Sequence, residues 1–312
     1  MTSIFENTKS KVIIHLLHDD TLTEENRKKF IRTAEKYSQG IDFVDVSERK
    51  KNFSQTAVEL ARRKCTIGSL YRLFIPEVLN DVSKIIYLDC DIVVNLDIKE
   101  MWDIDINSYC MAGVHCKDFE FLSEAVRDKL NGSSCKTFIN AGVMLMNLDK
   151  IRERGNLFWN SMAWVDEHIY LMRFSDQDII NNLFHGSIKL INPKFNNSNP
   201  REENMLNNSI IHTPTKNIAH RIWSLSGLPS QKLYWKYYLK SAWGENKSAD
   251  DMINILFQAA SKSSIPAHSY KQYLTRVCVS TFRKLLWTNP LAEIIRYILI
   301  YTFLKIKRAI FR

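Results

Sequence analysis

The sequence predicts an α/β fold, with helices packed on a mixed, mainly parallel sheet. Two observations carry that reading. The chain opens with the apolar run KVIIHLL, a charged helical segment TLTEENRKKFIRTAEKYSQG and the alternating run IDFVDV. Strand, helix and strand in that order need a crossover connection, which favours parallel pairing. Further on, SKIIYLDCDIVV places a short apolar strand directly before two carboxylates, at the strand's carboxyl end where open α/β sheets place ligands.

The elements follow in order. In the first helix Thr23 is the expected N-cap and Gly40 the expected stop. CTIGSLYRLFIPEVLN reads as a further helix with Tyr71 and Arg72 near its beginning. The polar stretch from Lys117 to Lys136 reads as a connection, and TFINAGVMLMNLDKI as an apolar strand. FWNSMAWVDEHIYLM is helical in pattern, FSDQDIINNLFHG is a short capped helix closing at Gly186, and SIKLIN and SIIHTPT are short strands. From LYWKYYLKSAW onward the composition turns aromatic and basic without strands, and Ser261 to Ser264 marks a linker. The expected division is an α/β domain over 1–235 and a helical, basic region over 236–312.

With 312 residues, 45% hydrophobic and 25% charged, the chain has the composition of a globular protein with a sizeable core. Its net charge of +9 is concentrated near the end, where beyond Lys271 the basic residues face Glu293 alone. The aliphatic and aromatic content of NPLAEIIRYILIYTFLKIKRAIFR makes an anionic membrane surface the expected partner, and nucleic acid is not expected. The apolar part, Leu291 to Leu304, is shorter than the roughly 20 residues that span a bilayer and contains Glu293 and Arg296. Its expected place is on a membrane, not across it. Six cysteines without a C-x-x-C pair point to a reducing compartment and away from zinc. The opening MTSIFENTKSKV has no apolar leader segment, so a cytoplasmic location at the inner face of the membrane is expected.

The chemistry turns on Asp89 and Asp91. Side chains two apart at a strand's end share a face, and two carboxylates there need a cation between them. Three readings are open: solvated or capping carboxylates, a haloacid-dehalogenase-type phosphatase with Asp89 as nucleophile and Asp91 as general acid, or a nucleotide-sugar transferase whose carboxylates hold Mn²⁺ or Mg²⁺.

YRLFIPEVL, the Asp-x-Asp of YLDCDIVV, FINAGVMLMNL and FSDQDIINNLF, in that order, resemble the motifs of glycosyltransferase family 8, which includes bacterial lipopolysaccharide galactosyl- and glucosyltransferases and is related to glycogenin. The resemblance covers Ser3 to Trp223. It implies a Rossmann-like GT-A domain, a retaining transfer, a UDP-glucose or UDP-galactose donor, a lipopolysaccharide or other lipid-linked glycan acceptor, and Mn²⁺ or Mg²⁺.

By the same resemblance Asp89, Asp91 and His212 are the metal ligands, and Arg72, Asp89, Asn140, Asp176 and Lys216 contact the donor. Asp176 and Gln177 flank the anomeric carbon. Each residue has a plainer alternative: packing for His212, an ion pair with Glu77 for Arg72, a helix cap for Ser175 or Asp176, and a bulge for Gly142 beside Asn140. HTPTKNIAHRIW departs from the family's pattern by lacking a Gly before Lys216, so His220 and Arg221 are alternatives to that lysine. The family's first strand and loop, which hold the uridine, are expected to be missing here, either because the true start lies upstream of Met1 or because part of the base-binding wall is lacking. A non-catalytic homologue that binds without transferring is therefore the second functional expectation.

Overall fold

The computed structural model describes residues 1–251 apart from 65, 117–136, 199, 201–202, 215–219, 225–227, 246 and 248–250. The expectations for Lys216, for the connection from Lys117 to Lys136, for the linker at Ser261 to Ser264 and for the basic tail lie outside the described residues.

The expected elements form. Helix α1 (Thr2–Asn7) leads into strand β1 (Ile13–His18), helix α2 (Glu24–Lys36) and strand β2 (Gly40–Asp45), and β1 and β2 pair in parallel, Ile13 against Gly40. Thr23 caps α2 by accepting from Asn26 N–H. The stop is not Gly40. The helix ends at Lys36, Ser38 takes the left-handed conformation at φ 51°, and Gly40 instead opens β2 with its Cα against Ile13. Ser tolerates that φ at a modest cost, so the turn falls two residues earlier than a glycine search predicts.

Helix α3 (Gln55–Lys64) is followed by a 3₁₀ segment, Ile67–Phe74, that runs into the short α4 (Ile75–Val78), where Pro76 fits the first turn. Then come β3 (Lys84–Leu88), β4 (Ile92–Asn95), α5 (Lys99–Trp102), β5 (Met111–His115) and the long β6 (Ile139–Asn147). The remainder is α6 (Leu148–Glu153), α7 (Leu157–His168), α8 (Asp176–Leu183), β7 (Ile188–Leu190), β8 (Ser209–His212) and α9 (Pro229–Lys240).

The main sheet has the order β3-β6-β5-β7. Parallel pairing joins β1 to β2 and β5 to β7, whereas β6 runs against both of its neighbours and β4 runs against β8. Side chains of β1 and β2 reach the same two cores as those of β3: Leu17, Val44, Ile85 and Tyr87 pack into one, and Ile14, Ile41, Ile86 and Leu88 into the other. The two sheets therefore share one layer between two cores, yet among the described residues no strand ladder joins β1 to β3. Every residue of β3 is only half-buried, although the strand is apolar.

One irregularity in β6 matters for the site. Opposite Gly113 stands Met144, but opposite His115 stands Ile139, so β6 carries extra residues around Asn140 to Val143. The alternation is reset there: Ile139 and Ala141 face the same core as Met144 and Met146. The backbone at Gly142 lies against Asp89.

Candidate functional site

The site lies where β3 gives way to β4. Asp89 N–H donates to Gly142 C=O at 2.9 Å, extending the β3–β6 pairing by one residue, and Asp91 stands in the tight connection that follows. Register puts Ile92 opposite His212 at the end of β8. Two separate strand pairings thus bring both aspartates and the histidine together. Nε2 of His212 is 3.3 Å from Asp91 Oδ1 and 3.8 Å from Asp89 Oδ2, and one ligand atom from each residue lies within 4.8 Å of the others.

These residues fit a divalent cation. His212 is buried, and its Nε2 is a buried atom without a hydrogen-bond partner. The other ring nitrogen, Nδ1, faces Asn196 Oδ1 at 3.1 Å. With Nδ1 as the donor, Nε2 presents a lone pair to two carboxylates, an arrangement of acceptors that a cation resolves. Two carboxylate oxygens with one imidazole suit Mn²⁺ or Mg²⁺ and not a thiolate-bound metal.

Beside the aspartates sits Arg72, whose side chain is 2% exposed. Nη2 donates to Asp89 Oδ1 at 2.7 Å, Nη1 is 3.0 Å from Asp176 Oδ2 and donates to Ala141 C=O at 2.6 Å, and Nε donates to Ser69 C=O at 2.8 Å. This replaces the alternative of a surface pair with Glu77. Tyr87, two residues before Asp89 on the same strand face, donates its hydroxyl to the same Oδ1 at 2.7 Å and lies under the guanidinium. Asp89 Oδ1 is thereby engaged, and Oδ2 is the oxygen that faces His212.

Burial sets the charges here. It pushes the Asp176 carboxyl up, against the pull of Arg72, and Asp89 pushes in the same upward direction. It drives Tyr87 well above the usual phenol range, while burial of Arg72 is outweighed by Asp176, Tyr87 and Asp89, which keep it charged.

Asp176 opens α8 but is not its cap, being turned to Arg72, and Ser175 makes no capping bond with its side chain. The carboxylate that serves the chain entering the helix is Asp178, which accepts from Arg173 and Phe174 N–H. Gln177 is buried: its Oε1 accepts from Asn140 Nδ2 at 3.0 Å and Ala141 N–H at 3.2 Å, and its Nε2 meets Cys116 Sγ at 3.4 Å. Gly142 sits in the β6 irregularity, and its lack of a side chain has a definite use. A Cβ there would stand 2.2 Å from His212 Cε1 and 2.8 Å from Asp89 Oδ2.

Of the expected site residues, Arg72, Asp89, Asp91, Asn140, Asp176, Gln177 and His212 converge, while Lys216 lies outside the described residues. Arg221, one alternative to it, lies over the Trp223 ring. Sequence reasoning did not single out Tyr87 or Asn196 as members of the site. Tyr87 was within reach of the i, i+2 rule applied to Asp89, but Asn196 carries no local signal.

The family model described as glycosyl transferase family 8 matches residues 1–217. The chain belongs to glycosyltransferase family 8. A Haemophilus influenzae protein described as a putative glycosyltransferase is 31% identical over 195 residues, covering 62% of this chain and 57% of the relative. General stress protein A of Bacillus subtilis is 27% identical over 183 residues, 57% of this chain and 60% of the relative. The chain thus spans less than two thirds of these curated relatives. Among solved structures, the galactosyltransferase LgtC, crystallised with donor and acceptor sugar analogues, superposes with a TM-score of 0.64 at 22% identity over 81% of this chain and 93% of that one. That likeness establishes the GT-A fold expected from the sequence. Membership of the family sets aside the phosphatase alternative.

Proposed function

We propose that this chain is a metal-assisted retaining glycosyltransferase that moves glucose or galactose from a UDP-sugar to a lipopolysaccharide or other cell-surface glycan acceptor. The observation that carries the reading is the convergence of Asp89, Asp91 and the unpartnered Nε2 of His212 beside the buried Arg72–Asp176 pair. Asp89, Asp91 and His212 would hold Mn²⁺ or Mg²⁺, which supplies charge neutralisation for the diphosphate leaving group. Arg72 and Asp176 form a rigid, charged wall suited to sugar hydroxyls, and Asn140 with Gln177 gives a polar wall next to it. Gln177 is a neutral amide and a poor nucleophile, so the chemistry favours attack by the acceptor hydroxyl from the face that the diphosphate leaves. The anomeric bond to the phosphate oxygen breaks as the bond to the acceptor oxygen forms, and the acceptor's proton passes to that phosphate oxygen.

A second reading, a degenerate homologue that binds an acceptor or partner and transfers nothing, is favoured by the lack, among the described residues, of a strand ladder between β1 and β3. One assay separates the two. The purified chain is incubated with UDP-glucose or UDP-galactose and Mn²⁺, with EDTA as control, and free UDP is measured. Metal-dependent UDP release that Asp91→Asn abolishes supports the transferase; the absence of both UDP release and donor binding supports the degenerate homologue; release of phosphate from a phosphomonoester contradicts both.

The expected division at 235/236 and the membrane role of the tail belong to the same proposal. Among the described residues no helix is long and apolar enough to cross a membrane. A basic amphipathic tail supplies about 1 kcal/mol per Lys or Arg at an anionic surface. Loss of sedimentation with anionic vesicles after removal of the residues beyond Trp287 is the expected result, and unchanged sedimentation counts against docking.

A further inference from the structure

Between His212 and Gln177 runs a chain of side-chain amides whose donor directions are set at fixed points. Ala141 N–H points at Gln177 Oε1, and Gly142 N–H points at Asn140 Oδ1 at 3.0 Å. Backbone N–H groups only donate, so both of those side-chain atoms are oxygens and neither amide is free to flip. Asn140 Nδ2 then donates to Gln177, and Asn140 Oδ1 must receive Asn196 Nδ2, which stands 2.8 Å away. That leaves Asn196 Oδ1 as the atom facing His212 Nδ1, and an amide oxygen facing a ring nitrogen requires that nitrogen to carry the proton. Asn196 is itself buried, 5% exposed, in the 3₁₀ segment Pro193–Asn196 ahead of β8.

We propose that Asn196 is a positioning residue: it fixes His212 as the Nδ1–H tautomer, so that Nε2 presents its lone pair to the cation site. It also ties that histidine to Asn140 and Gln177. This inference rests on the reading of Asp89, Asp91 and His212 as metal ligands. The tautomer is dictated from the β6 backbone through two side chains, so the same strand irregularity that turns Gly142 toward His212 also sets which ring nitrogen binds. Outer partners of this kind typically account for about 10- to 100-fold in metal affinity.

The test has two independent readouts on the full chain. Ring ¹⁵N shifts of histidine-labelled, metal-free protein, assigned by difference from His212→Ala, report the tautomer; Mn²⁺ affinity is read by electron paramagnetic resonance. Expected are an Nδ1–H tautomer in the wild type and a Mn²⁺ affinity lowered about 10- to 100-fold in Asn196→Leu. Asn196→Asp still accepts from Nδ1–H and keeps that tautomer, but its second oxygen faces Asn140 Oδ1, so its Mn²⁺ affinity falls less than in Asn196→Leu; a residue needed only for folding predicts no such split. A wild-type Nε2–H tautomer overturns the assignment even if Asn196→Leu fails to fold, and wild-type affinity in Asn196→Leu overturns it equally. A wild type with the Nδ1–H tautomer that binds no Mn²⁺ supports the amide chain while removing the metal reading beneath it.

Discussion

Replacing Arg72 by Met removes a buried guanidinium and leaves Asp89 and Asp176 facing each other without a cation. The apolar stem is kept, so the loss is electrostatic. Breaking a buried pair from one side costs about 3–5 kcal/mol. Asp89 is 27% exposed and screened by solvent, whereas Asp176 is 12% exposed, so the lower end of that range, about 3 kcal/mol, applies. For a chain of 312 residues, at about 2.1 cal/mol/K of unfolding entropy per residue, that corresponds to a fall in Tm of about 4–5 °C. Urea denaturation followed by tryptophan fluorescence, with EDTA present, measures it.

The deficit depends on pH with a definite sign. The Asp176 carboxyl is already raised by burial, and without Arg72 it rises further. A carboxyl raised in the folded state leaves stability intact below its unfolded pKa of about 3.9 and removes it as pH climbs through the folded pKa. The gap between Arg72→Met and wild type therefore widens as pH rises above the unfolded value of about 3.9. Adding Asp176→Asn to the variant returns part of the loss. A deficit under about 1 kcal/mol, or one independent of pH, would refute the account of Arg72 as the buried counter-ion.

Other expectations follow from the same geometry. Gly142→Ala forces its Cβ into the His212 ring, costing about 1–3 kcal/mol in a melt and weakening Mn²⁺ binding as well; a silent substitution contradicts the packing. Asp19 is held below the usual carboxylate range by the Thr21 hydroxyl, with Tyr71 and Lys50 adding to it against burial, and burial with Asp19 pushes the Tyr71 phenol up to about 12. Its contribution is present above the unfolded pKa of about 3.9 and lost as pH falls through the lower folded value, so Asp19→Asn flattens the acid limb of a stability profile. Asp89 N–H points toward β6, which by alternation leaves the N–H groups of Ile86 and Leu88 on the edge of β3 that no strand pairs with among the described residues; these exchange with deuterium faster than those of Ile85 and Tyr87, and equal protection would mean the edge is covered.

The acidic pair was legible because its signal is local: an apolar strand followed by two carboxylates two residues apart. The sheet elements were legible for the same reason, through runs such as KVIIHLL and IDFVDV. His212 and Gln177 became visible only through resemblance, since what brings them to Asp91 and Asn140 is the pairing of β4 with β8 and the packing of α8 on β6. Asn196 escaped because its partners lie 16 and 56 residues away and nothing in PKFNN marks it as a ligand's neighbour. Gly40 misled for a physical reason: a glycine near a helix end is read as its cap, but here close contact with Ile13 at the start of the β1–β2 pairing is what uses the missing side chain.

The central claim is that Asp89, Asp91 and His212 form a divalent-metal site that holds a nucleoside diphosphate. Calorimetric titration of Mn²⁺ into the full chain, with and without UDP, on the wild type and on Asp91→Asn, tests it most directly. One Mn²⁺ site is expected, which tightens when UDP is present and weakens at least about tenfold in Asp91→Asn. A wild type that binds no Mn²⁺, or an Asp91→Asn variant that binds it equally well, would contradict it.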